Sequence, residues 1–224
     1  MTSSYIECKG LNKQYTTKNQ VIDALTGVNL NVERGQIVLL KGRSGAGKST
    51  LLHIIGGLIK PTSGTVKVDN EILNILDNQS ISRLLLNKIG IVFQSLNLLP
   101  TYSIYENIEI ALAPKGYDKK KVRDLVMPYF GEFRLADKMH LLPEELSLGQ
   151  QQRVAIIRTL VKDPSLILAD EPTASVDEQT AQEILDHLSN LRNKKNVTVI
   201  IATHGLIPGS IADATISIED GRIK

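Results

Sequence analysis

The sequence of 224 residues contains a single cysteine, Cys8, and almost no excess of one charge. One cysteine cannot form a disulfide within the chain, and without a metal-ligand cluster nearby Cys8 is expected to be structural. The formal net charge is +2, so no overall basic field indicates a nucleic-acid partner. A run of three lysines at residues 119–121 is expected to be the solvated end of a helix.

The chain also lacks a secretion signal and a long hydrophobic run. Its first ten residues, MTSSYIECKG, do not follow the basic-then-apolar layout of a signal peptide. The longest strongly apolar stretch lies around residues 51–59. It is too short for a bilayer, which needs roughly 20 residues. We expect a cytoplasmic protein whose membrane role depends on a partner.

Short apolar runs bounded by turn residues alternate with helical patterns, which is typical of a parallel α/β sheet. Strands are predicted at residues 5–11, 25–32, 36–41, 65–68, 89–93, 166–169, 197–202 and 215–218. Helices are predicted at residues 48–55, 148–162 and 179–192. Between residues 94 and 162 the apolar spacing is mostly helical. We therefore predict a single domain, residues 1–224, with a core lobe (1–93 and 163–224) and an inserted helical subdomain (94–162).

The run GRSGAGKST at residues 42–50 follows an apolar strand and precedes an apolar helix, the setting in which a phosphate-binding loop is expected. Glycines allow backbone N–H groups to approach phosphate closely, and the helix N-terminus adds partial positive charge. Lys48 is predicted to reach the β- and γ-phosphates, and Ser49 to bind Mg²⁺. The predicted nucleotide-binding residues here are Gly42, Arg43, Ser44, Gly45, Ala46, Gly47, Lys48, Ser49 and Thr50.

Two carboxylates, Asp170 and Glu171, end the buried-type strand LILA. Ligands of parallel sheets lie at the carboxyl ends of the strands, so Asp170 is predicted to hold Mg²⁺ and Glu171 to polarise an attacking water. Taken alone, the pair would indicate an acidic helix start, because Pro172 follows; the phosphate loop upstream favours catalysis. His204 follows the strand VTVIIAT and is expected at the same edge, beside the γ-phosphate or the water.

Over essentially its whole length the chain resembles the ATPase subunits of ABC transporters. The resemblance rests on GRSGAGKST, on Gln94 in IGIVFQ, on LSLGQ at residues 146–150 followed by QQR, and on LILADEPT at 166–173. It implies a P-loop NTPase fold with a mainly parallel sheet core, an N-terminal antiparallel β part and an inserted α-helical subdomain. A P-loop kinase or GTPase is disfavoured by the signature and by Gln94.

The resemblance also implies site residues and partners. Gln94 would close onto Mg²⁺ and the water, giving Ser49, Gln94 and Asp170 as the metal set and Glu171, His204 and Gln94 as the catalytic set. Tyr15 would stack on adenine. In a head-to-tail dimer, expected to be a homodimer, ATP bound by one subunit would be capped by Ser147, Gly149 and Gln150 of the other, and the loop with Ser175 and Asp177 would cross between subunits. An integral membrane permease would hold the ATPase at the inner face of the membrane.

The branch is indicated by IGGLIKPTSG at residues 55–64 and VFQSLNLLPTYSIYENI at 92–108, which are most similar to the lipoprotein-release and macrolide-export type. That type implies export, or extraction of lipid, lipoprotein or peptide. An ATPase that regulates a cell-envelope process without transport would share every residue named. ATPases of this family that act on DNA or ribosomes usually carry coiled-coil insertions, zinc modules or tandem domains, and this sequence has no heptad run or CxxC.

One position departs from the family pattern. The signature is normally LSGGQ, and Leu148 replaces its first glycine. The leucine side chain could point away from nucleotide and be harmless, because the contacts needed are mostly from the backbone. It could instead weaken closure, and a heterodimer with one degenerate site would be a variant of that case.

Overall fold

In this computed structural model, the residues described are 4–18, 20–174, 176–205, 207 and 211–224. The strands are β1 (Ile6–Thr16), β2 (Val21–Val32), β3 (Ile37–Lys41), β4 (Ser63–Val68), β5 (Glu71–Ile72), β6 (Ile89–Val92), β7 (Leu166–Asp170), β8 (Thr198–Thr203), β9 (Ala214–Glu219) and β10 (Arg222–Ile223). The helices are α1 (Lys48–Ile55), α2 (Asn78–Asn87), α3 (Ile104–Glu109), α4 (Lys119–Glu132), α5 (Leu148–Leu160) and α6 (Glu178–Lys195). Short 3₁₀ turns lie at Leu73–Ile75, Ile110–Lys115, Ala136–Lys138 and Pro143–Glu145.

A six-stranded sheet in the order β10-β9-β3-β8-β7-β6 forms the centre of the described structure. Its strands are parallel except for the antiparallel pair β9 and β10. Strands β7 and β8 are buried along their whole length, as expected of parallel strands covered on both faces. Successive side chains point to opposite faces, so Leu39 and Ile201 pack toward the later helices while Leu40 and Ala202 pack toward α1.

A second sheet, in the order β2-β1-β4-β5, is antiparallel throughout. Helix α1 contacts strands of both sheets, and its buried residues join their apolar side chains in one cluster. The predicted antiparallel β part near the N-terminus is therefore confirmed. Because α1 fixes the antiparallel sheet to the central one, the residues that precede α1 are held between the two.

Helices α3, α4 and α5 lie in the sequence between β6 and β7, which are neighbours in the central sheet. Their apolar side chains join those of α6 and of one sheet face in a continuous core. The mostly helical character predicted for this stretch agrees with these elements, and the subdomain boundaries at 94 and 162 stay a prediction. Within the described ranges, none of the helices is both long enough and apolar enough to cross a membrane.

Candidate active site

The phosphate loop connects β3 to α1 at the carboxyl edge of the central sheet. Gly45 and Gly47 have φ values of 81° and 104°, which only glycine adopts at little cost. A Cβ atom on Gly47 would lie 2.5 Å from the carbonyl oxygen of Ala24, so the backbone of β2 leaves no room for one. Gly47 is the residue before the helix, and no side chain in the described part of the chain caps α1. The first amide groups of α1 are therefore available to an anion.

Lys48 is folded back over this loop and is only 5% exposed. Its Nζ donates to the carbonyl oxygens of Gly42, at 2.9 Å, and Arg43, at 3.1 Å. Glu171 Oε1 lies 3.6 Å from the same nitrogen. An ammonium group has three donors, and the two carbonyls take two of them. The third donor therefore remains for a phosphate oxygen.

Glu171 follows β7 in a left-handed backbone conformation, with φ of 50°. Such values are uncommon for residues other than glycine, and they cluster at functional sites. The Glu171 N–H donates to the carbonyl of Ala202 at 2.9 Å, which fixes the turn against β8. Its carboxylate is 8% exposed, and its Oε1 lies 2.7 Å from His204 Nδ1. The structure thus brings Lys48, Glu171 and His204 together.

Asp170, the last residue of β7, is 5% exposed. Its Oδ1 has no hydrogen-bond partner among the described residues. An unpartnered buried oxygen costs about 1–3 kcal/mol, so the position is suited to an oxygen-seeking ligand. The described residues contain no group of three or more acidic, His or Cys side chains that could hold a metal alone. A single carboxylate fits Mg²⁺, which proteins usually bind through one or two carboxylates plus phosphate and water.

The other predicted metal ligands lie at the same edge of the sheet. Ser49 is in the first turn of α1, and α1 packs against β7. Gln94 comes two residues after β6 and is exposed. Val92 pairs with Ala169, so the chain leaves β6 beside Asp170. The structure places Ser49, Gln94 and Asp170 around one edge, and their roles as Mg²⁺ ligands stay predictions.

Tyr15 is exposed near the end of β1 and pairs with Ile22 of β2. Two positions earlier, Lys13 pairs with Leu25, the neighbour of the Ala24 carbonyl that backs the phosphate loop. The Lys13 ammonium lies 5.0 Å from the centre of the Tyr15 ring. Tyr15 is thus an exposed ring on the strand pair behind the loop, and its stacking on adenine stays a prediction.

The signature residues form the N-terminus of α5. Ser147 Oγ accepts a hydrogen bond from the Gln150 N–H at 3.3 Å, and Gln150 Oε1 accepts one from the Ser147 N–H at 3.0 Å. This reciprocal cap fixes the turn. A Cβ on Gly149 would lie 3.3 Å from the Thr180 methyl of α6. Leu148, the residue that departs from the family pattern, is 48% exposed.

Asp177 caps the N-terminus of α6. Its Oδ1 accepts from the Thr180 N–H at 2.9 Å and its Oδ2 from the Thr180 hydroxyl at 2.8 Å. These hydrogen bonds, the backbone one first, lower the pKa of the Asp177 carboxyl. The carboxylate is thus engaged within its own chain. Ser175, the other residue predicted to cross between subunits, lies outside the described residues.

A cleft of about 490 Å³ runs beside the phosphate loop. Residues 41–44, 203–205 and 217–219 line it. A strand was predicted at residues 215–218, but its place at the site was not. Only the parallel pairing of β9 with β3, which no local pattern encodes, brings residues 217–219 beside the loop.

A glycine loop that exposes amide groups, a buried lysine above it, and two carboxylates with a histidine at the same sheet edge define a P-loop ATPase. The chain belongs to the ABC transporter family, whose model matches residues 25–174. It is an ATP-binding subunit that hydrolyses ATP.

The chain is similar to named relatives along almost all of its length. It is 39% identical over 221 residues to the lipoprotein-releasing system ATP-binding protein LolD of Geobacter metallireducens, covering 99% of this chain and 98% of that protein. It is 34% identical over 220 residues to the methionine import ATP-binding protein MetN 1 of Acinetobacter baylyi, covering 98% of this chain and 62% of that protein. The resemblance to the lipoprotein-release type is thus confirmed, alongside similarity to an importer.

A solved structure of the ATP-binding cassette MJ0796, from Methanocaldococcus jannaschii, superposes on the chain with a TM-score of 0.93. The two are 37% identical, and the match covers 98% of this chain and 96% of that one. That structure is a dimer in a post-hydrolysis state, bound to ADP and Pi. The P-loop NTPase fold predicted from the sequence is confirmed.

Proposed function

We propose that the chain powers an integral membrane permease for export, or for extraction of lipid, lipoprotein or peptide, from the inner face of the membrane. The observation that carries the ATPase part is the position of Glu171 between Lys48 and His204 at the sheet edge. Similarity to LolD along the whole chain supports the release function. The sequence runs at residues 55–64 and 92–108 add to that support. The importer MetN 1 is a longer protein, and this chain matches 62% of it.

The hydrolytic step follows from the contacts of Glu171. Its carboxylate accepts a proton from the water that attacks the γ-phosphorus, while the bond to the bridging oxygen breaks and ADP leaves. His204 Nδ1 lies 2.7 Å from Glu171 Oε1 and so orients the carboxylate. Lys48 gives its third donor to the phosphates, so it meets the charge that develops there. Ser49, Gln94 and Asp170 would hold Mg²⁺. When bound, the ion would neutralise charge on the phosphate oxygens.

The catalytic unit is a head-to-tail homodimer with ATP at two equivalent interfaces. The dimeric state of the MJ0796 cassette supports this arrangement. In this proposal Ser147, Gly149 and Gln150 cap the nucleotide of the opposite subunit, and Asp177 approaches the shared interface. Ser147 and Asp177 cap their helices within one chain, so these two helix starts are formed before the subunits meet.

The permease would dock in a groove of about 520 Å³ between α2, β6, the turn after α3, and α5. The lining is mainly apolar, with Phe93, Ile110 and Pro114 among it, and it carries the cations Arg158 and Lys162. A short helix with an apolar face fits such a groove. Part of the lining, Phe93 and Asn97, flanks Gln94 in the chain segment that follows β6, so a helix in the groove would lie beside that segment.

The test of the hydrolytic assignment is the variant Glu171→Gln. It removes the proton acceptor but keeps the size of the side chain. We expect ATP binding to be kept, turnover to be lost, and a dimer with ATP to accumulate in size-exclusion chromatography. Glu7→Gln is the control, because Glu7 pairs with Lys9 on the antiparallel sheet, away from the site. Normal hydrolysis by Glu171→Gln would refute the assignment.

The partner and direction are tested by the membrane protein that copurifies with the chain or is encoded beside it. We expect a four-helix permease with a large extracytoplasmic domain. ATP-dependent release of lipid or lipoprotein from proteoliposomes would support the proposal. A six-helix importer permease with a binding protein would overturn the export function and leave the ATPase assignment intact.

A further inference from the structure

Arg158 of α5 holds the chain segment that follows Gln94. Its Nη1 donates to the carbonyl oxygen of Asn97 and its Nη2 to that of Leu96, both at 2.6 Å. The guanidinium is planar, and its parallel donors match two neighbouring acceptors. Burial lowers the pKa of the Arg158 guanidinium. Asn97 has φ of 49°, an uncommon backbone conformation held in place by this pair of bonds.

A second anchor holds the other end of the same segment. Asn107 of α3 is fully buried. Its Oδ1 accepts from the Leu99 N–H at 2.7 Å. Its Nδ2 donates to the carbonyls of Leu99, Tyr102 and Ser103 at 3.0, 2.9 and 3.1 Å. Asn107 therefore holds the segment to α3, and Arg158 holds it to α5.

The position of Arg158 joins three parts of the molecule. The signature residue Ser147 caps the N-terminus of its helix, α5. The carbonyls that Arg158 binds come two and three residues after Gln94. Arg158 and Asn97 also line the proposed docking groove. A side chain that enters the groove would thus meet the link between the signature helix and the Gln94 segment.

We infer that Arg158 is a positioning residue that fixes the segment after Gln94 to α5 and thereby holds Gln94 in place for Mg²⁺. The inference rests on the proposed function, which gives Gln94 a role at Mg²⁺. Arg158 is not one of the residues assigned to ATP, to Mg²⁺ or to the attacking water. Its effect passes through the backbone of residues 96 and 97.

The first test is amide hydrogen exchange of residues 95–103 in the nucleotide-free chain, compared for wild type, Arg158→Gln and Arg158→Lys. In Arg158→Gln, loss of both charged hydrogen bonds should speed the exchange of residues 95–103 by about tenfold or more. A lysine reaches one carbonyl at a time and should give an intermediate rate. Lys162→Gln is the matched control: Lys162 lines the same groove but donates to Leu85 and Ile89, outside the segment, and should leave its exchange at the wild-type rate.

The second test is the Mg²⁺ dependence of ATP hydrolysis. In Arg158→Gln the Mg²⁺ concentration for half-maximal rate should rise several-fold, with partial return in Arg158→Lys. Binding of ATP without Mg²⁺ should be unchanged, because it depends on the phosphate loop. Faster exchange with an unchanged Mg²⁺ requirement would overturn the inference, since Arg158 would then be a structural anchor alone.

Two further outcomes are also decisive. Unchanged exchange in Arg158→Gln would show that the two hydrogen bonds do not hold the segment. If Arg158→Gln fails to fold, Arg158→Lys carries the same comparison with one bond kept, and wild-type behaviour of that variant in both tests would refute the inference. Absence of Mg²⁺-dependent hydrolysis in the wild type would defeat the proposed function, and the exchange comparison would still test the link.

Discussion

Replacing Asp170 by asparagine should stabilise the nucleotide-free chain and weaken its use of Mg²⁺. The Asp170 carboxylate is buried, and its Oδ1 has no hydrogen-bond partner among the described residues. Nearby, Glu171 is shared between Lys48 and His204, so the site holds a second carboxylate. Asparagine keeps the shape of the side chain and removes its negative charge.

The expected gain is about 1–2 kcal/mol, because a buried polar atom without a partner costs more when it is charged than when it is neutral. A chain of this size shifts its melting temperature by about 2–4 °C per kcal/mol. Without nucleotide, Asp170→Asn should therefore melt roughly 2–8 °C above wild type. The surface variant Asp137→Asn is the control. Asp137 is exposed and pairs with Lys138, so its loss should change stability by less than about 0.5 kcal/mol.

The second half of the assay adds nucleotide, with EDTA or with Mg²⁺. A ligand present at 100 times its Kd stabilises the folded state by about 2.7 kcal/mol. In the wild type, ADP with Mg²⁺ should raise the melting temperature more than ADP with EDTA does. In Asp170→Asn, ADP with EDTA should still stabilise the chain and Mg²⁺ should add little. A variant that melts below the wild type without nucleotide would refute the reasoning about the orphaned oxygen. An undiminished Mg²⁺ effect would refute the metal assignment.

Two further predictions concern Leu148 and Lys162. Leu148→Gly should leave the ATPase rate unchanged or raise it, at a stability cost of roughly 0.5–1 kcal/mol, whereas a sharp loss of rate would show that the leucine is required. Burial, with the charges of Lys115 and Arg158, lowers the pKa of Lys162 to about 8, so the unfolded state binds more protons between about pH 8 and 10.5. As pH rises through that range, the free energy of unfolding of the wild type should therefore rise by about 3 kcal/mol relative to that of Lys162→Met. Urea unfolding measures both values, and a difference that stays constant with pH would contradict the prediction.

Much of the site was predictable because its chemistry lies in short local runs. GRSGAGKST needs left-handed backbone at Gly45 and Gly47, and the structure shows both. Apolar strands ending in Asp170-Glu171 and Thr203-His204 indicated a shared edge, since parallel strands align their carboxyl ends. The structure brings Glu171 and His204 within 2.7 Å, as that argument requires.

Most parts that the sequence did not predict lack a local pattern. Helix α2 is an exception, because its apolar residues Ile81, Leu84 and Leu85 recur at helical spacing and pack against the core. Strands β5 and β10 have two residues each, too few for alternation. Helix α5 ends at Leu160, two residues before the predicted end. The contacts of Arg158 join positions about 60 residues apart and depend on the tertiary fold.

The order of events at Glu171 follows from the charges that already surround it. Lys48 lies 3.6 Å and His204 2.7 Å from the same carboxylate oxygen. A γ-phosphate carries more negative charge than a carboxylate and should draw the remaining donor of Lys48 toward itself. Glu171 would then lose its contact with Lys48 and keep its contact with His204. This change would occur when the γ-phosphate, the target of the attacking water, has bound. In this scheme ATP binding itself frees the base.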